Sequence, residues 1–225
     1  MAKKVNETRT SIEELNESLS GIEKKVEDNK KMIVWVVAGI VAIAVIILGY
    51  VYLIQNPSME KAKEEIAKAD ADYTLGQDSI ALDAYKAVAD NYSNDAANRA
   101  GLNAAIILYQ QGKYEEAVDY INKFDAAGTI VGPASQSLLG DCYVNLKKYD
   151  DAVSAFDKAI SLAEDNELYT PLFILKKATV LREQQKYAEE ADLLQTIKDK
   201  YPNFIMSYQV DVDKYIERAK AQAGK

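Results

Sequence analysis

The chain has 225 residues, with 27 Lys and Arg against 35 Asp and Glu and a formal net charge of −8, a balance that argues against nucleic acid or anionic headgroups as partners. It contains no histidine, which removes the commonest general base, the usual metal ligand and every Ser-His or Cys-His nucleophile pair. One cysteine, Cys142, cannot form an internal disulfide, and with ten Gly and four Pro in all the chain reads as helical throughout.

Residues 1–31 hold seven basic and seven acidic side chains, so the whole negative charge falls on the remainder. Ile12, Leu15, Leu19, Ile22 and Val26 step by three and four, which is heptad spacing with a charged opposite face. Two readings stand for this tail. It is a short coiled coil that homo-oligomerises or docks on another membrane protein, or it is an amphipathic or weakly ordered segment on the inner leaflet.

Residues 32–54, MIVWVVAGIVAIAVIILGYVYLI, contain no charge. As one uninterrupted helix they rise about 34 Å, enough to cross a bilayer core. Trp35 sits near one end and Tyr50 and Tyr52 near the other, where amphipathic rings favour the headgroup boundary. The run is longer than a cleaved signal's apolar core, and no small-x-small site follows it, so it reads as a signal anchor. Lys24, Lys25, Lys30 and Lys31 precede it closely, whereas Lys61, Lys63 and Lys68 follow at a distance. This bias predicts a single-pass protein of a bacterial inner membrane, with a cytoplasmic N-terminus and a periplasmic domain spanning 59–225.

Beyond Asn56-Pro57-Ser58, with Ser58 as the expected N-cap of a helix from Met59, the chain repeats itself. Leu139-Gly140, Tyr143, Ala152, Phe156 and Ala159 give the spacing L-G-x2-Y…A-x3-F, which resembles the tetratricopeptide repeat. Small residues at Gly140, Ala152 and Ala159 let two antiparallel helices approach, and Tyr143 and Phe156 fill the gap. Ala105, Leu108, Gly112, Tyr114, Ala117 and Ile121 align in the unit before. Ala178, Leu181, Tyr187 and Leu194 align in the unit after, where Glu190 stands in place of the packing alanine. That helix is expected either to be rotated so that Ala191 takes the place, or to pack more loosely. The four units run roughly over 62–95, 98–131, 133–166 and 171–204. Thr170-Pro171 is expected to cap and open the last of them, and Val210, Tyr215, Ile216 and Ala219 to form a capping helix. The fold class is therefore all-α: one transmembrane helix, then a tetratricopeptide α-solenoid.

The resemblance implies that the first helix of each pair lines a concave face. Its outward positions are Tyr73; Leu102, Ile106 and Tyr109; Asp141, Val144 and Asn145; and Leu172, Leu175 and Arg182. Such a groove suits polypeptide, and each of these residues has inter-repeat packing as its alternative role. Where cytosolic co-chaperone repeats grip a C-terminal carboxylate, this chain has Ile66, Asp70, Asn103, Ala134 and Leu138, so capture of chaperone tails is not expected. No catalytic residue, cofactor or metal is expected.

The Met-Ala-Lys-Lys start, the lysine-flanked span, the repeats and the ending Asp213-Lys214-Tyr215-Ile216 together resemble ancillary subunits of the SecYEG translocon in their Bacteroidetes-like form. That resemblance implies partners among translocon subunits, periplasmic chaperones and exported polypeptides, and a non-enzymatic, chaperone-like role in protein translocation. A scaffold for an envelope or cell-division complex is the other reading.

Overall fold

The computed structural model describes residues 29–126 and 131–224, all of whose regular elements are helical. The expected tail helix falls, up to residue 28, outside the described residues. The protein divides into two compact units after Ser58.

The first unit contains α1 (Lys30–Tyr50) and a π-helical turn, Val51–Gln55. No residue of α1 is buried: Trp35 is 78% exposed, Ile46 69% and Leu53 beyond it 77%. A helix apolar on every side belongs either in a protein core or in a membrane, and this one is long and apolar enough to cross a membrane. The π turn departs from the uninterrupted α-helix expected from sequence. Asn56 donates its N–H five residues back to Val51 O. The next residue is Pro57, which has no N–H to give, and a π turn is one way a helix re-routes its bonds beside a proline. The backbone thus stays helical, α2 runs Asn56–Thr74, and Ser58 lies inside it instead of capping it.

In the second unit α2 is followed by α3 (Asp78–Asn91), α4 (Asp95–Gln110), α5 (Tyr114–Lys123), α6 (Gly132–Asn145), α7 (Tyr149–Leu162), α8 (Tyr169–Glu183), α9 (Tyr187–Lys200), α10 (Pro202–Tyr208) and α11 (Val212–Ala223). Four helical hairpins, α2/α3, α4/α5, α6/α7 and α8/α9, share one turn. Gly76, Gly112, Lys147 and Gln185 each adopt a left-handed φ, between 58° and 74°. The N–H groups of the next residues, Gln77, Lys113, Lys148 and Lys186, reach back to the carbonyls of Asp72, Leu108, Tyr143 and Leu181 in turn. This is the bond that closes a Schellman turn. Glycine adopts that conformation without cost, whereas Lys147 and Gln185 hold it because the same bond is made.

Between hairpins, alanine does the close packing. Ala69, Ala81, Ala100, Ala104, Ala105 and Ala117 are all buried, with Tyr85, Leu108 and Ile121 filling the space among them. A second cluster joins α8, α9, α10 and α11 through Ile174, Leu194, Ile197, Phe204 and Ile216. Each such large side chain contributes about 1.5–3 kcal/mol by its removal from water.

Three local expectations change. Asn166 Oδ1 accepts from the N–H groups of Leu168 and Tyr169, so α8 begins before Thr170, which lies inside the helix and caps nothing. Beyond the last repeat, where only the capping helix is expected, Pro202 opens a further short helix, α10, by its fixed φ, and Gln209, left-handed at φ 52°, ends it before α11. At Glu190 the expected rotation is not adopted. Helix α9 starts at Tyr187 as α5 starts at Tyr114 and α7 at Tyr149, so it is not rotated. Glu190 keeps the alanine's place, 1% exposed, and Arg218 of α11 donates to its Oε1 at 2.7 Å.

Buried Cys142 beside Gly140 has its thiol pushed up to about 12, by burial first and by neighbouring Asp141 second. At pH 8 about one thiol in 10⁴ is then ionised, and the thiolate is the reactive form. Cys142 should therefore resist iodoacetamide in the native protein at pH 8 and react at an ordinary rate in denaturant. Comparable labelling in both states would show that the α6/α7 pair opens readily.

Candidate polypeptide-binding face

The first helix of each hairpin supplies the candidate face: α2, α4, α6 and α8, continued by α11. Tyr73 of α2 is 38% exposed, and with Ile106 of α4 it lines a cleft of about 330 Å³. The rest of that cleft is Asp70, Thr74, Tyr85, Asn103 and Ile107. Its polar groups are tied to one another. Tyr85 OH donates to Asp70 Oδ1 at 2.6 Å, and Arg99 donates to the other carboxylate oxygen. Burial and then the Asp70 carboxylate hold the Tyr85 phenol well above its usual range, so it stays protonated and donating. The cleft is thus an apolar hollow with fixed polar edges, suited to an apolar side chain of a docked polypeptide.

Midway along, Tyr109 of α4 is half-buried and meets Tyr114 edge-on at 5.5 Å. Asp141 of α6 accepts from Lys176 of α8, whose ammonium also reaches Ser137 Oγ at 3.0 Å. Burial raises the Asp141 carboxyl above its ordinary value while Lys176 acts the other way. Asn145 is exposed, yet its Nδ2 is bound to Asp141 O of its own helix at 2.8 Å. Val144 packs at the edge of the Phe156 cluster. Leu102 is 8% exposed and belongs to a small core with Phe124 and Ala126, so its role here is packing and it does not line the face.

At the far end Leu172 is 36% exposed beside the stacked Tyr169 and Phe173 rings. Leu175 and Arg182 line a cleft of about 250 Å³ shared with Thr179, Glu190, Tyr215 and Arg218. The structure therefore joins Tyr73 to Ile106, and Leu175 to Arg182, in two separate hollows. Lys176, Asp70, Tyr85, Tyr215 and Arg218 shape this face and are not among the residues expected on it from sequence. Lys176 and Asp141 are opposite charges 35 positions apart, one repeat length, which is the signal that would have found them.

Residues 81–159 match the family described as anaphase-promoting complex, cyclosome, subunit 3, and residues 174–203 match the tetratricopeptide repeat family. No curated protein matches by sequence. Among solved structures, MamA is similar at 20% identity and a TM-score of 0.59, over 73% of this chain and 84% of that one. A Podosopora anserina putative kinesin light chain with nearly identical TPR-like repeats is similar at 15% identity and a TM-score of 0.54, over 75% and 88%. The apo form of RapI is similar at 17% identity and a TM-score of 0.54, over 72% and 52%. The second unit is thus a tetratricopeptide-type solenoid, and its repeats indicate a protein–protein interaction module.

Proposed function

We propose that the protein is a membrane-tethered interaction module whose concave face receives polypeptide on the far side of a bacterial inner membrane. The observation that supports this most is the pairing, in one molecule, of a helix apolar on every side with a repeat domain holding two hollows along its inner helices. Tethering confines the face to a thin layer next to the membrane and so raises the effective concentration of partners there, which lets weak contacts suffice. The lysine bias around the span favours the periplasm for the repeat domain. The resemblance to ancillary SecYEG subunits makes the translocon the proposed neighbour, and exported polypeptides and periplasmic chaperones the proposed partners. The tail would add docking or self-association. A scaffold for an envelope or cell-division complex would use the same face for one fixed partner.

Purification of the tagged full-length protein in mild detergent, with mass spectrometry of what accompanies it, tests the reading. Translocon subunits are expected, and replacement of residues 32–54 by an unrelated span should reduce them several-fold. Ile106→Arg should instead reduce recovery of exported polypeptides while leaving the translocon subunits in place. Division or wall-synthesis proteins recovered without the translocon would sink the export reading and favour the scaffold.

A further inference from the structure

We propose that the cleft between α8, α9 and α11 binds a polypeptide carboxylate, with Arg182 as its accessible cation. This deepens the interaction reading above and rests on it. In a domain with an excess of acidic residues, two guanidinium groups line one small hollow of about 250 Å³. One of them is already answered: Arg218 donates to Oε1 of the buried Glu190 at 2.7 Å. The other is not matched in the same way. Arg182 lies 3.6 Å from Glu183, its neighbour in sequence, whose side chain is 52% exposed. With Arg182 itself 34% exposed and Glu183 turned to solvent, the pair is screened by water and leaves the guanidinium able to bind elsewhere.

The surroundings favour a carboxylate over a neutral group. Leu175, Ala178 and Leu194 form an apolar wall that excludes water and strengthens a charge pair formed against it. Arg218 Nε is buried and makes no hydrogen bond among the described residues, a donor that a carboxylate bridging Arg182 and Arg218 would take up after a small rotation of the guanidinium. Glu190 Oε2 is likewise buried without a partner. Its negative charge keeps a ligand carboxylate off the floor of the cleft and on the Arg182 side. The apolar wall and the Tyr215 ring then seat the side chain next to the carboxylate.

The carboxylate has two sources, a polypeptide C-terminus or an Asp or Glu side group. Three peptides carrying one neutral dye separate them: AALAL as the free acid, AALAL as the C-terminal amide, and AADAL as the amide. Binding is read by fluorescence anisotropy with the full-length protein in detergent micelles. At least one carboxylate peptide should bind about tenfold more tightly than AALAL amide. A stronger free acid assigns the site to C-termini, and a stronger AADAL amide assigns it to acidic side groups. Arg182→Gln should abolish the preference and Arg182→Lys should retain part of it. Among the described residues the ion pair of Arg182 is the one with Glu183, so the helical signal should be unchanged in both variants. Thr179→Phe, which fills the mouth of the cleft without altering a charge, should weaken the carboxylate peptides alone. Equal binding of all three peptides, or a preference that survives Arg182→Gln, overturns the carboxylate site while leaving a polypeptide face in place. Failure of every peptide to bind overturns it as well, and recovery of partners in mild detergent then decides the broader reading separately.

Discussion

Arg218→Ala should destabilise the repeat domain by about 3 kcal/mol, and more than Glu190→Ala does. The asymmetry follows from where each charge sits. The Glu190 side chain is 2% exposed and the Arg218 side chain 37% exposed. Removal of Arg218 leaves the buried carboxylate without the guanidinium that hydrogen-bonds it. The desolvation cost of that carboxylate is then no longer offset. Removal of Glu190 instead leaves a guanidinium that can turn into solvent, and it restores the alanine that Ala117 and Ala152 provide in the preceding hairpins, both of them fully buried. The double variant Glu190→Ala/Arg218→Ala should recover most of the loss, because no charge is then stranded. Denaturant unfolding of the full-length protein and its three variants closes the cycle. Equal costs for the two single changes, or a double variant that shows simple additivity, would mean that the pair is solvated and that α11 is held by its other contacts, Val212, Ile216 and the Lys198–Asp213 pair among them.

The same residue shows what the sequence discloses and what it withholds. The repeat period was legible because it is written in small and aromatic residues at fixed intervals: Gly140, Tyr143, Ala152 and Phe156 meet in the structure as their spacing requires. The long apolar helix was legible because hydrophobicity on all sides needs no tertiary information. Glu190 stood out as an exception, but its solution lies 28 positions away in α11. A pattern of one repeat length cannot announce a partner that belongs to no repeat. Helix α10 was missed for a related reason. At seven residues it is too short to show a period, and whether Pro202 opens it depends on Phe204 finding the Ile174 and Ile216 cluster. The candidate face was legible as a set of helices and less so residue by residue. Leu102 and Ile106 are one helical turn apart and read alike, yet Phe124 and Ala126 cover Leu102 more fully, from the segment that follows α5. Thr170 illustrates a competition between two caps in one loop, in which Asn166 reaches the free N–H groups first.

The same change, glycine to alanine, should have opposite signs at Gly140 and Gly101. Both lie inside first helices of hairpins, α6 and α4, where alanine gains about 1 kcal/mol in helix propensity over glycine. At Gly101 the new methyl would meet Ala89 Cβ at 3.8 Å and Tyr120 Cδ1 at 3.9 Å, ordinary contacts that need no movement. Gly101→Ala should therefore stabilise the domain by up to about 1 kcal/mol. At Gly140 the methyl would lie 2.6 to 2.8 Å from three carbons of the Phe156 ring. The ring has nowhere to go: it is 1% exposed, packed with Ala152 and Val180 and edged by Tyr143 and Val153. Helix α6 must then move away from α7, and overpacking of this kind costs about 1–3 kcal/mol, which outweighs the gain in propensity. Gly140→Ala should thus lower the unfolding midpoint, and Phe156→Leu introduced with it should cost less than Phe156→Leu alone, because the smaller side chain vacates the space the methyl needs. A stabilised Gly140→Ala variant would show that α6 and α7 stand further apart than the 2.6 Å approach implies, and the close packing assigned to this hairpin would fall with it.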